Sequence, residues 1–285
     1  MRRLLITGAQ GMLGSALQTS FGDKFEIIAA SRSDLNIESF QEARSFIQKT
    51  KPDIIIHAAA YTNVEEAERT PEACYKINYN GTLHLINAAK GLQTKFIYIS
   101  STGCYGAYKE ESYSEFDEVA PTTVYHKSKI AGENVVKDLC DDFLIIRTGW
   151  LFGGSTNHKK NFVYNRYKEA IANTRITSDP FQKGNPTNTE DVANQIEALI
   201  DQDIRGMFNV VAEGNCTRYE YVKAIVEAFD LPCEVVPAGK PFERVAKVSS
   251  NEAASNFNLS QLGLNVMPEW KESLRRYVRS IQSYV

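Results

Sequence analysis

No stretch of this 285-residue chain approaches the ~20 consecutive apolar residues that a membrane-spanning helix needs. Its N-terminus, MRRLLITGAQG, offers only three strongly apolar residues in a row, too few for the core of a signal peptide. Dense Lys/Arg blocks are missing as well. The net charge is −3 and the pI near 5.9, so there is no electrostatic footprint for nucleic acid or an anionic membrane. The five cysteines, Cys74, Cys104, Cys140, Cys216 and Cys233, are odd in number, far apart and include no CxxC pair. That argues against a disulfide framework and against a zinc site, and no metal is expected. Tandem repeats and low-complexity tails are absent too. What remains, at 43% hydrophobic and 24% charged residues, is the composition of an ordinary globular protein. The expectation is a cytoplasmic protein with a small-molecule partner, no nucleic acid and no membrane.

The first half of the chain alternates short apolar runs with helical patterns. The runs are RRLLIT, FEIIAA, PDIIIHAAA, KFIYISS and FLIIRT, with little polar alternation, as expected of strands buried on both faces of a parallel sheet. Between them, SFQEARSFIQKT and NYNGTLHLINAAKGL have helical spacing, the second closing at Gly91 as a helix C-terminus would. The β-α-β-α-β order and right-handed crossovers predict an α/β fold, a Rossmann-type doubly wound parallel sheet with ligands at the carboxyl ends of its strands. After Gly153 the regularity falls off, through a helix over 161–172 and the loop SDPFQKGNPTNTEDVA. GMFNVVAE, 206–213, reads as one more buried strand, followed by helices near 217–229 and 273–282. The predicted organisation is a dinucleotide-binding domain over 1–152 with a return segment near 186–213. A smaller, interleaved substrate-binding lobe takes 153–185 and 214–285.

ITGAQGMLG carries Gly8, Gly11 and Gly14 directly after the first strand and at the mouth of a helix, with Gln10 and Met12 inside the same turn. Glycines there permit a tight turn and let backbone approach a diphosphate whose charge rests on the helix N-terminus. The next strand ends IIAASRSDL, where an NAD site would offer a carboxylate to the adenosine ribose. Arg32 stands there instead, able to pair with a 2′-phosphate, which favours NADP; Asp34 nearby keeps NAD open. YISSTGCYG ends the fourth strand at the same sheet edge, and PTTVYHKSKIAGE places Tyr125 and Lys129 one helical turn apart. In a trio of Ser101, Tyr125 and Lys129, the phenol exchanges a proton with a carbonyl oxygen and the lysine tunes the phenol and holds the nicotinamide ribose. The serine hydroxyl orients the substrate oxygen. Elsewhere, His57 reads as a hydrogen-bonded strand residue, Cys104 as a packed thiol and Arg147 equally as a strand anchor or a cofactor contact.

Taken together, TGAQGMLG, HAAAYTNVEEAE, YISSTGCYG, VYHKSKIAGE, IIRTGWLFG, KNFV and DPFQKGNPT run in order over most of the chain. In these motifs the sequence resembles the extended short-chain dehydrogenase/reductase superfamily, and within it the dTDP-4-dehydrorhamnose reductase family. The resemblance implies reduction of the 4-keto group of a nucleotide-activated 4-keto-6-deoxy sugar by NADPH, in deoxysugar biosynthesis, with a homodimer compatible with it. It gives Ser101, Tyr125 and Lys129 the catalytic positions. Ala58, Ala59, Ala60 and Tyr61 fall in the loop lining the cofactor, Asn78 supports the active-site backbone, and Thr102, Trp150, Asn161 and Phe162 belong to the sugar-nucleotide pocket. Two further readings stay open: an NAD-retaining sugar-nucleotide epimerase or dehydratase, and a non-catalytic NADP-binding regulatory subunit. The chain departs from the family at Thr102–Gly103, where an Asp-Tyr is usual after the catalytic position. It departs again at Ala253–Ala254, where an Arg-Pro is usual. The missing guanidinium bears on the nucleotide end of the substrate, and Arg244 is the replacement the sequence offers.

Overall fold

Strand β1 (Arg3–Thr7) shows why the sheet is doubly wound. Leu4 and Ile6 point into one apolar cluster and Leu5 into another, and all three are fully buried. A strand whose alternate residues both seek apolar cover needs helices on both faces. In the computed structural model, which describes residues 1–282, β1 lies inside a six-stranded parallel sheet. Its other strands are β2 (Glu26–Ala30), β3 (Ile54–His57), β4 (Lys95–Ser101), β5 (Phe143–Thr148) and β6 (Gly206–Asn209). Their spatial order is β2-β1-β3-β4-β5-β6.

One face carries α1 (Met12–Phe21) and the helix Thr189–Asp201, which join Leu4, Ile6, Ile54, Ile97 and Leu144 in one core. The other carries α2 (Phe40–Thr50), α3 (Gly81–Ala89) and α4 (Val124–Leu139), packed on Leu5, Ile55, Tyr98 and Ile145. Each fully buried Leu or Ile contributes roughly 1.5–3 kcal/mol, so these layers dominate the stability. The chain leaves β1 toward β2, then crosses back to β3 on the opposite side of β1. That reversal opens a crevice at the carboxyl ends of β1 and β3, where Thr7 and His57 are register partners.

Every apolar run read as a strand is one, and β6 joins the sheet beside β5. Some boundaries differ. GMFNVVAE is strand only as far as Asn209, although the Val210 N–H still reaches the Arg147 carbonyl of β5; Asn209 itself is fixed by its amide donating to the Tyr113 and Ser255 carbonyls and its N–H to Glu115. The helix expected to end at Gly91 stops at Ala89, with Gly91 beyond the cap at φ +89°. The last helix begins at Trp270, not Ser273: Glu269 caps it through Lys271 and Glu272, and Ser273 is buried inside, donating to Asp191 at 2.6 Å. A further apolar cluster, built from Phe152, Tyr221, Trp270, Leu274 and Tyr277, unites helices Phe162–Ala172, Arg218–Ala228 and Trp270–Ile281. No helix among the described residues is long and apolar enough to cross a membrane.

Candidate active site

The glycine turn leaves no room for side chains. Gly8 has φ +69°, and a Cβ on it would lie 2.7 Å from the Ala59 backbone nitrogen. A Cβ on Gly14 would drive into the Gly8 carbonyl oxygen. The close approach brings two loops, 8–14 and 58–60, edge to edge at the crevice, with the N-terminus of α1 between them. A cavity of about 650 Å³ opens there. Gly8, Gln10, Gly11, Met12 and Gly14 form its floor, Ala58, Ala59 and Ala60 one wall, and Arg32 the far end. Ser101, Tyr125, Lys129 and Trp150 stand at the near end. An elongated cleft with a bare backbone turn over a helix N-terminus fits a dinucleotide, whose diphosphate needs that approach.

Asn78 ties the walls together. It sits in a π-helical turn, Lys76–Asn80, where the widened ladder turns its amide inward. There it accepts from the Tyr61 N–H at 2.7 Å and donates to the Ser128 hydroxyl at 2.9 Å. Since Ser128 lies on α4 between Tyr125 and Lys129, this amide fixes the Ala58–Tyr61 loop against the helix that carries both. Thr123 caps α4 by accepting from the His126 N–H.

Lys129 is 2% exposed, and its ammonium lies 4.0 Å from the Tyr98 ring centre, with no hydrogen-bond partner among the described residues. Its three donors are left for whatever fills the cleft, as a ribose diol would. Burial pushes its pKa down to about 7, opposed by the carboxylate of Glu133 and by Cys74. Burial pushes the Tyr125 phenol well above its usual value, with Cys74 and Glu252 adding to the effect, so the phenol holds its proton. Desolvation is the leading cause of that rise, and Lys129 is not among the groups that shift the phenol here. His57 is buried, pairs through Nδ1 with the Thr7 hydroxyl at 2.7 Å, and is pushed down to about 3 by burial and Lys129. It stays neutral and structural.

Under the site lies a buried ion pair. Glu133 accepts from Arg147 at 2.9 and 2.7 Å and from the Ser100 hydroxyl at 2.6 Å, joining α4, β5 and β4. Arg147 is thus an anchor of the strand end, with its guanidinium also over Tyr105.

Other residues singled out in the sequence lie away from the cleft. Thr102 is buried against Gly149, and Tyr61 turns its hydroxyl to Thr70. Asn161 is fully buried, capping its helix at Tyr164 and bonding the Tyr277 hydroxyl, while Phe162 stacks on Tyr221. Asp34 closes the Ser31 turn and does not line the cavity. The carboxylate that does is Glu38, which accepts from Arg32 at 2.9 Å and pairs with Lys76 at 3.2 Å. Arg244 is held by Glu65 at 2.7 Å. Cys104 is fully buried. Sequence reasoning missed Thr62, Thr148, His158 and Lys160, which also line the cavity. Thr62 adjoins the alanine loop and was within reach of that reading. His158, bonded to the Gln10 carbonyl at 3.2 Å, comes from an irregular loop with no sequence signal.

Comparisons with known proteins agree with this geometry. The family model described as the RmlD substrate binding domain matches residues 1–283. The dTDP-4-dehydrorhamnose reductase of Mycobacterium tuberculosis is 31% identical over 95% of this chain and 91% of that protein. The crystal structure of the dTDP-4-dehydrorhamnose reductase of Bacillus anthracis, in complex with NADP, superposes with a TM-score of 0.94 at 31% identity, covering 98% of this chain and 100% of that one. Methionine adenosyltransferase 2 subunit beta of Danio rerio is also 31% identical, over 93% of this chain and 86% of that protein. With its Rossmann-type sheet, glycine turn and matched length, the chain belongs to the RmlD substrate binding domain family.

Proposed function

We propose that this protein reduces the 4-keto group of a nucleotide-activated 4-keto-6-deoxy sugar, as the similarity to dTDP-4-dehydrorhamnose reductases suggests. The observation that carries the reading is Lys129, a buried ammonium with no hydrogen-bond partner among the described residues, one helical turn from a buried, protonated Tyr125 at the end of a dinucleotide-shaped cleft. NADPH, the cofactor in this reading, supplies a hydride when bound. Arg32 lines the cleft at the end that would take its 2′-phosphate, with Lys76 next to it through Glu38, and the similar Bacillus anthracis enzyme is described with NADP. Lys129 holds the ribose, Ser101 hydrogen-bonds the substrate carbonyl oxygen, and Tyr125 gives that oxygen its proton. A phenol raised by burial is suited to this direction, since a general acid must arrive protonated. The reading keeps the cytoplasm as the compartment, and the homodimer is tested by light scattering.

NADPH oxidation with a panel of nucleotide-linked 4-keto-6-deoxy sugars tests the reaction. Turnover with at least one is expected, and Tyr125→Phe should cut kcat by about 10²- to 10⁴-fold with NADPH affinity unchanged. A folded, NADPH-binding protein with no turnover on any of them overturns it. The similarity to methionine adenosyltransferase 2 subunit beta favours a second reading, a cofactor-binding subunit. Under it, the wild type turns over no 4-keto sugar and stays bound to an unrelated enzyme through purification.

A further inference from the structure

Around Trp150, outside the residues that line the cofactor cleft, three charged side chains come together. Arg218 lays its guanidinium 3.4 Å from the Trp150 ring centre and 5.1 Å from that of Phe162. Glu252 accepts from the Trp150 indole N–H at 2.9 Å. Arg244 adds a second positive charge, which Arg218 feels. Trp150 is itself pinned: its backbone is left-handed at φ +46°, and its ring fills the space where any Cβ on Gly184 would go. A non-glycine residue in that conformation is strained, and such strain is held by the surroundings at working sites. The indole therefore serves as a fixed platform, one face toward the cofactor cleft and its plane under Arg218.

The guanidinium on that platform is under-used. Its one hydrogen bond is a long one, Nε to Gln182 Oε1 at 3.5 Å, and neither terminal nitrogen has a partner among the described residues. No carboxylate lies within ion-pair distance of it among those residues, although Glu252 is near enough to act on it electrostatically. Arg244, by contrast, is taken by Glu65, which also accepts from the Val245 and Ala246 N–H groups. The helix that Arg218 starts contributes little itself. The Arg218 and Tyr219 N–H groups are spent on the Gln182 and Asp179 carbonyls, and the Thr217 N–H on Glu220. Half-buried charges are usually paired, and a planar fork of free donors fits a phosphate bidentately. Burial pushes the Arg218 pKa down to about 10, with Arg244 adding to this against Glu252.

We propose that Arg218, stacked on Trp150, receives the phosphate-bearing end of the nucleotide-sugar substrate, supplying the guanidinium that Ala253 lacks. This rests on the reading of the reaction above. It places the diphosphate next to Trp150, a residue that shares the cleft lining with Tyr125. Arg244, the replacement the sequence offered, is already paired.

The experiment is titration of the full-length protein with dTDP, UDP and GDP, and separately with NADPH, in the wild type, Arg218→Met and Arg218→Lys. Methionine keeps apolar cover on Trp150 without the charge; lysine keeps the charge without the fork. Arg218→Met should weaken the best-bound nucleoside diphosphate about tenfold to a hundredfold, as for loss of a charged hydrogen-bonding group, and leave NADPH affinity unchanged. Arg218→Lys should recover part of the loss. With any sugar nucleotide that turns over, KM should rise in step while kcat stays within about threefold. Diphosphate affinity within about twofold of wild type in folded Arg218→Met overturns the proposal. So does the absence of binding of all three diphosphates to the wild type. Should no 4-keto sugar be reduced while Arg218→Met still loses diphosphate binding, the anion site stands and the reductase reading falls.

Discussion

At the scale of single residues, Lys129 sets a measurable pH dependence. Held at about 7 by burial, it is half-deprotonated near neutrality in the free protein, so its ability to donate to a ribose fades as pH rises. NADPH affinity should weaken above pH 7, and Lys129→Met should bind less tightly but with that alkaline loss removed. The same residue changes stability with pH in the same direction as a salt-bridged carboxylate, but in a higher pH window. Its folded pKa lies below the ordinary 10.5, so between about 7 and 10.5 the unfolded chain binds more protons than the folded one. Stability must then rise with pH across that window, and the penalty is fully present below it. Urea unfolding at pH 6 and pH 9 should show a smaller difference in Lys129→Met than in wild type, by on the order of a few kcal/mol. An identical difference in both proteins would mean that Lys129 is solvated or paired.

At the scale of elements, Glu133 is the tie that holds α4 against β4 and β5. It lies one turn beyond Lys129 on the same helix and accepts from Arg147 and Ser100, so its removal strands a buried guanidinium. Glu133→Ala should cost about 3–5 kcal/mol in urea unfolding, the range for breaking one side of a buried pair. It should also lower the Lys129 pKa further, moving the alkaline loss of NADPH affinity to lower pH. The local devices of these elements are legible in the sequence. Strands β1–β6 show as apolar runs because both of their faces are covered, and the glycine turn and the Tyr125/Lys129 spacing each fit within one turn of backbone. What was not legible comes from side chains that meet only after folding. The Trp150–Glu252 bond joins positions 102 apart, and nothing near Arg218 in the sequence marks it as stacked and unpaired. Asn161 shows the converse. Motif position put it in a pocket, whereas its amide is spent on a helix cap and on the Tyr277 hydroxyl, a partner 116 residues away.

At the scale of the whole molecule, the crevice where the strand order reverses has two ends with different tasks. In the proposed reading, Arg32, after β2, marks the adenosine end, and Tyr125 and Trp150 mark the reacting end. Because the sheet holds both, a dinucleotide bridging them couples to global stability by mass action. A ligand at a hundred times its Kd adds about 2.7 kcal/mol, which for a chain of this size is a Tm rise of roughly 4–5 °C. Arg32 decides how that rise divides between cofactors. Its side chain is 83% exposed and bonded to Glu38, so a 2′-phosphate must draw it from that carboxylate, with Lys76 on the other side of Glu38 sharing the load. A charge-assisted contact so exposed is worth less than a buried one, about tenfold in affinity. NADPH should therefore raise Tm more than NADH at equal concentration. Arg32→Ala should bring the NADPH shift down toward that of NADH while leaving the NADH shift unchanged. If the variant loses both shifts equally, Arg32 shapes the β2 turn and does not read the phosphate; if it loses neither, the 2′-phosphate is held elsewhere, with Lys76 the next residue to replace.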